Sequence, residues 1–299
     1  MLSLLLSYQH LSAQNLIPAP KEIKYLSDKV VRLKSTDSKV IPSDGIPNEQ
    51  YTLKTKGGKA IIIAQSEQAA VWGAATLRQL TNEEGYVPEV EITDYPAFPI
   101  RGFMHDTGRN FREVELLKRD IDLMSAYKLN VFHWHLTDNP AWRIECKVYP
   151  QLNDAKYQTK GRDEGRFYSY DEIRDVIAYA RLRGIMIIPE IDMPGHSAAF
   201  VRTFRHDMQS PEGMKILKLL VDEVCETFAD VPYLHIGTDE VNFWNKSFVP
   251  EMVSYIRAKG KKVISWNPGW NYKPGEIDMM QMWSFRGKVT PGIPHIDSK

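Results

Sequence analysis

Several things are scarce in this sequence, and each scarcity excludes something. Two of its 299 residues are cysteine, too few for a disulfide framework, and neither Cys146 nor Cys225 stands at a zinc-ligand spacing. There is no net charge, since 38 Lys and Arg balance 38 Asp and Glu. With no basic run to track a polyanion, nucleic acid is not expected as the main partner. No apolar run is long enough to span a bilayer. The longest at the start, Leu2–Leu6, is followed by small residues at Ser12 and Ala13 and reads as the remnant of a signal peptide over residues 1–14. The expectation is therefore an exported, periplasmic or extracellular protein.

Hydrophobic residues make up 43% of the chain and charged residues 25%, enough for a large core in one barrel or two domains. Fourteen Tyr and seven Trp supply flat apolar faces of the kind on which pyranose rings stack.

Over residues 15–98 the pattern predicts a small α/β domain. Strands are expected at Val30–Leu33, Tyr51–Thr55 and Ala60–Ala64, with Gly57-Gly58 as the turn between the last two. Ser66 opens a helix running to about Leu80. Pro96 and Pro99 mark a boundary, and from 99 to 299 strands alternate with helices. Six strands are predicted: Ile100–His105, Asn130–Leu136, Ile185–Ile191, one beginning at Tyr233, Lys262–Trp266 and Asp278–Trp283. Ile185–Ile191 is almost wholly apolar, as strands buried on both faces are. Helices are expected at Glu113–Lys128, from the Ser169–Glu172 capping box to Arg183, at Met214–Phe228 and at Phe248–Lys259. Cys225 falls on the apolar face of the third of these, with Val221, Val224 and Phe228. This alternation implies an α/β fold with a (β/α)8 TIM barrel. Eight strands close such a barrel and six are counted, so the barrel is expected to be incomplete at its C-terminal side.

Parallel strands bring their C-terminal ends together, and these ends are polar or aromatic. They deliver His105, Asp106 and Arg109; then His133, His135 and Asp138; then Glu190, Asp192 and His196; then His235, Asp239 and Glu240; and finally Trp266 and Trp283. Two adjacent carboxyl groups cost more to ionise together than singly, so a pair such as Asp239-Glu240 can keep one proton and supply a general acid. Met193-Pro194-Gly195 forces a turn that would aim His196 back over the mouth. His133 and His235 suit a core layer, and Glu190 and Asp192 a network at the rim. His133-Trp-His135 leaves a metal-dependent hydrolase as an alternative.

Four segments, Arg101–Phe111, Phe132–Asp138, Pro189–His196 and His235–Glu240, in this order, resemble glycoside hydrolase family 20, the β-N-acetylhexosaminidases, and residues 15–98 resemble the small domain that precedes the barrel there. The resemblance implies a retaining, substrate-assisted reaction, in which the 2-acetamido carbonyl attacks the anomeric carbon and forms an oxazolinium ring. It implies Glu240 as general acid and base, Asp239 as the carboxylate orienting the acetamido N–H, and Asp138 and His196 as a hydrogen-bonded chain ending at Glu240. Arg109 would bind sugar hydroxyls, and Trp266 and Trp283 would wall the sugar. No cofactor or metal is implied, and the expected partners are glycans ending in N-acetylglucosamine or N-acetylgalactosamine. The sequence departs from the family where Thr238 precedes the acid pair and where Asn267-Pro268 follows Trp266. It also ends before the strands that carry a family Tyr, Asp and Trp. The 299 residues alone are therefore expected to be poorly stable or inactive, which keeps a glycan-binding fragment as a further alternative.

Overall fold

Alternate residues of Tyr51–Lys56 and Lys59–Ala64 are buried, Tyr51, Leu53 and Thr55 on one strand and Ala60, Ile62 and Ala64 on the next. That period of two turns one face of a hairpin inward. In the computed structural model, which describes residues 16–299, the hairpin is the centre of a five-stranded sheet. The strands are β1 (Glu22–Arg32), β2 (Ser35–Val40), β3 (Tyr51–Lys56), β4 (Lys59–Ala64) and β5 (Tyr86–Asp94), in the order β1-β5-β3-β4-β2. All pairings are antiparallel except β2 with β4. Helix α1 (Glu67–Leu80), capped by Ser66 Oγ accepting from Ala69 N–H, lays Trp72, Leu77 and Leu80 on this sheet. A Cβ at Gly73 would stand 2.7 Å from Ile62, so glycine is what lets helix and sheet approach. The residues of the expected signal peptide lie outside the described residues.

This sheet belongs to a unit formed by residues 16–101 together with Asp120–Asn130 and Leu182–Ile185. Within it, a buried polar group stands among apolar neighbours. Lys128 Nζ donates to Asp94 Oδ2 at 2.7 Å and to Tyr51 Oη at 2.9 Å.

The second unit comprises Gly102–Arg119, Val131–Arg181 and Met186–Lys299. Its sheet is parallel throughout, curling from β6 (Gly102–Asp106) through β7 (Val131–His135), β8 (Met186–Glu190), β9 (Tyr233–His235), β10 (Lys262–Asn267) and β11 (Met279–Met282) to β12 (His295–Asp297). The second unit is an incomplete barrel, and the first is a small α/β domain. Helix α2 (Val114–Ala126) divides between the two units at Arg119, and α3 (Tyr170–Arg181), α4 (Ala198–Phe204), α5 (Pro211–Thr227) and α6 (Phe248–Ala258) belong to the second. Cys225 is buried on α5, and Cys146, in the segment after β7, is buried too.

The strand count is corrected here. Seven strands are present instead of six, because His295–Asp297 pairs with Met280–Met282. Its three residues hold one hydrophobic side chain, Ile296, so hydropathy gave no signal. Among the described residues no helix is long and apolar enough to cross a membrane.

One register row crosses four strands: Asp106 pairs with His135, His135 with Glu190, and Glu190 with His235. Side chains on one row of a parallel sheet point to the same side. The polar end of this sheet is thus a consequence of where four charged or titratable residues fall in register.

Candidate active site

Glu190 closes β8 and is fully buried. A buried carboxylate persists only when its oxygens are supplied with donors or charge. Here Oε2 takes His135 Nδ1 at 2.7 Å and Oε1 takes the Trp266 indole N–H at 2.7 Å. His133 Nε2 stands 2.8 Å from Oε2, and His235 Nδ1 stands 3.2 Å from Oε1. Burial pushes the Glu190 pKa up, but the surrounding imidazoles outweigh it and hold the group well below the carboxylate range. His133 is driven the other way by burial, down to about 4, and is neutral. The imidazole rings of His133 and His235 lie 4.6 Å apart and both pack on Trp266.

His135 links this hub to a second one. Its Nε2 lies 3.1 Å from Asp138 Oδ2. Burial lowers the pKa of His135, yet a carboxylate at each nitrogen raises it well above the ordinary imidazole value. Asp138 Oδ2 also receives Arg109 Nη2 at 2.9 Å and His196 Nδ1 at 3.4 Å. Burial opposes its ionisation, but hydrogen bonds from His135 and His196 and the Arg109 charge hold Asp138 far below its usual range. The other branch of the Arg109 fork reaches Asp106 Oδ2 at 2.6 Å. The side chain stays 43% exposed, so the guanidinium is fixed and still open to solvent.

His196 passes the connection outward. The loop after β8 approaches so closely that a Cβ at Gly195 would lie 2.7 Å from Asp239 O. His196 itself adopts φ +46. Its Nε2 then stands 3.5 Å from Asp239 Oδ2 and 3.4 Å from Glu240 Oε2. Hydrogen bonds to Asp138 and Asp239 raise its pKa to about 10 against the cost of burial. Asp239 is largely buried and Glu240 is 59% exposed, so the two neighbours face different surroundings. Their turn is tight: Gly237, Thr238 and Glu240 all have positive φ, at +65, +83 and +50. Thr238 is buried and shares a 2.5 Å hydrogen bond with Ser265 Oγ, which also receives Tyr272 Oη–H at 2.9 Å. The side chain of Thr238 thus points away from the acids.

Asp138, His196, Asp239, Glu240 and Arg109 are brought together at the carboxyl end of β6–β9. Trp266 and Trp283 are placed differently from each other. Trp266 is 6% exposed, with its indole N–H on Glu190. Trp283 is 36% exposed and donates to Pro268 O at 2.8 Å. The supporting residues Thr137, Ser265 and Tyr272 carried no signal in the sequence. Asp192 is 1% exposed; its backbone N–H donates to Thr137 Oγ1 at 3.0 Å, and its Oδ1 accepts from Thr238 N–H at 3.3 Å. Imidazole and carboxylate atoms of His133, Glu190 and His235 crowd within 4.8 Å, but Trp266 and His135 already donate to the Glu190 oxygens.

A curled parallel sheet with acids gathered beyond its carboxyl edge, tuned by buried imidazoles, has the architecture of a barrel glycoside hydrolase. The profile of the glycosyl hydrolase family 20 catalytic domain matches residues 98–209, and that of domain 2 of the same family matches residues 28–95. The chain belongs to glycosyl hydrolase family 20. It is 39% identical over 215 residues to a beta-hexosaminidase of Vibrio furnissii, covering 60% of this chain and 35% of that protein. It is 30% identical over 308 residues to a beta-N-acetylhexosaminidase of Cellulomonas fimi, covering 92% and 61%. Among solved structures, a beta-N-acetylhexosaminidase from Bacteroides fragilis superposes with a TM-score of 0.79 at 27% identity, over 91% of this chain and 70% of that one. A Vibrio harveyi exo beta-N-acetylglucosaminidase in complex with N-acetylglucosamine gives 0.80 at 27%, over 91% and 58%. The chain spans about a third of the length of the first curated relatives it matches.

Proposed function

We propose that this chain carries the catalytic machinery of a β-N-acetylhexosaminidase, which removes terminal N-acetylhexosamine from glycans with retention of configuration. The observation that carries the reading is the His196 bridge, with Nδ1 at Asp138 and Nε2 at the Asp239-Glu240 pair. Glu240, the exposed member, gives its proton to the leaving glycosidic oxygen as that oxygen's bond to C1 breaks. The acetamido carbonyl oxygen bonds to C1 in its place, and the ring that forms carries the positive charge. Asp239 accepts from the acetamido N–H and stabilises that charge, an interaction stronger in the transition state than in the ground state. Glu240 then takes a proton from the water that attacks C1, and the acetamido group is restored. Arg109, pinned by Asp106 and Asp138, offers its remaining donors to sugar hydroxyls. Trp283 offers an exposed ring face at the rim. Export, proposed only on the Leu2–Leu6 run, is consistent with a glycan substrate.

The test compares aryl β-glycosides of N-acetylglucosamine, N-acetylgalactosamine and glucose on this chain and on Glu240→Gln. Cleavage of the acetamido sugars alone is expected, falling about 10²–10⁴-fold in Glu240→Gln. Equal cleavage of the glucoside would remove the substrate-assisted route. Saturable binding without turnover would make the chain a glycan-binding fragment.

A further inference from the structure

Two carboxyl oxygens beside the proposed reaction centre are buried and lack a hydrogen-bond partner among the described residues, Asp192 Oδ2 and Asp239 Oδ1. Two ionised carboxylates would leave both without a donor and add mutual repulsion, a costly arrangement in a low-dielectric interior. A single proton shared by the pair removes both costs. It makes one oxygen a donor and gives the other something to accept.

Asp192 is the member built to hold it. It is 1% exposed, whereas Asp239 keeps 16% of its side chain open. The backbone brings the two together: Thr238, next to Asp239, donates its N–H to Asp192 Oδ1 at 3.3 Å. A Cβ at Gly237 would fall 1.9 Å from that same oxygen, so the glycine before Thr238 gives Asp192 its place. Thr137 fixes the other side through the Asp192 backbone at 3.0 Å.

We propose that Asp192 is a positioning residue: in its neutral form it donates a hydrogen bond to Asp239 and fixes that carboxylate beside the sugar nitrogen. This inference rests on the function proposed above and deepens it. Burial, then the charges of Glu190 and Asp239, raise the pKa of Asp192 well above the carboxylate range. The groups facing it are Glu190, Asp239, His135, His196, Asp138 and Arg109. The three cations among them oppose the shift without reversing it.

The test has two readouts on the full chain. Infrared difference spectra between wild type and Asp192→Asn at neutral pH should show one protonated carboxyl carbonyl band, lost in the variant. Should Asp192→Asn fail to fold, Asp239→Asn replaces it, and the band should then titrate at lower pH than in wild type. Absence of the band from wild type overturns the proposal. The second readout is affinity for a thiazoline mimic of the cyclised sugar. Asp192→Asn, whose amide can still donate, should bind within about threefold of wild type, while Asp192→Ala should lose about tenfold or more. As pH rises, wild-type affinity should fall at lower pH than that of Asp192→Asn, which retains only the loss due to His196 near 10. Asparagine as damaging as alanine overturns the positioning role. If wild type shows the band but binds no mimic, the functional reading fails and the protonation of Asp192 stands.

Discussion

Trp266 donates its indole N–H to Glu190 across 2.7 Å, joining β10 to the end of β8 through the inside of the sheet. The bond makes the hub dependent on both partners. Glu190→Ala takes one of its two carboxylates from His135 and leaves the Trp266 indole N–H without its acceptor, and should cost about 3–5 kcal/mol. Trp266→Phe removes one donor and should cost about 1–3 kcal/mol. Urea denaturation of both variants measures this, and losses under 0.5 kcal/mol would show the hub to be structurally idle.

His196 should titrate near 10 rather than at the ordinary 6.5. Its folded-state pKa is raised, so the stabilisation is complete below about 6.5 and is lost as pH climbs through about 10. Imidazole NMR resonances followed with pH give the midpoint directly. In Asp138→Asn the midpoint should fall, because the hydrogen bond to the Asp138 carboxylate, the largest cause of the shift, is gone. An unchanged midpoint would place the cause elsewhere.

Gly237 combines φ +65 with a Cβ position 1.9 Å from Asp192 Oδ1. Gly237→Ala should therefore cost about 2–4 kcal/mol and disturb the acid pair. Gly102→Ala is the control, since the nearest atom there is at 3.4 Å and φ is not positive. It should shift stability by less than about 1 kcal/mol. Thermal unfolding of the two variants side by side is the check.

Lys128 and Asp94 form a buried pair in the other unit. Asp94→Ala strands the ammonium and should cost about 3–5 kcal/mol, while the double variant Lys128→Met, Asp94→Leu should recover most of that loss. Additive losses in the double-mutant cycle would contradict the coupling.

Much of the fold was legible because burial and periodicity agreed. Ile185–Ile191 is apolar on both faces and became β8. The Ser169–Glu172 box formed with both halves bonded, Glu172 N–H to Ser169 Oγ and Ser169 N–H to Glu172 Oε2. The missed strands are those whose side chains say little. β2 is exposed along its whole length. β5 carries Pro88 and Glu89, which read against a strand. β1 shifts register between Tyr25 and Val30, so only its last residues kept a pattern. In the site, residue types at strand ends pointed to the acids and to His196. The part that stayed hidden depends on burial and on which oxygen lacks a donor. That is why Asp192 read as a rim acid and Trp266 as a wall, when the indole N–H of Trp266 is turned inward onto Glu190.

The two cysteines have a practical consequence. Both are buried, and burial pushes the Cys146 thiol up to about 12 and the Cys225 thiol up to about 11. At neutral pH neither offers thiolate to an alkylating reagent. A cysteine introduced at exposed Trp244 would then react far faster than the native pair. A single fluorescent probe could be attached four residues beyond Glu240 in the chain without first removing any natural thiol, so that ligand entry could be followed by light.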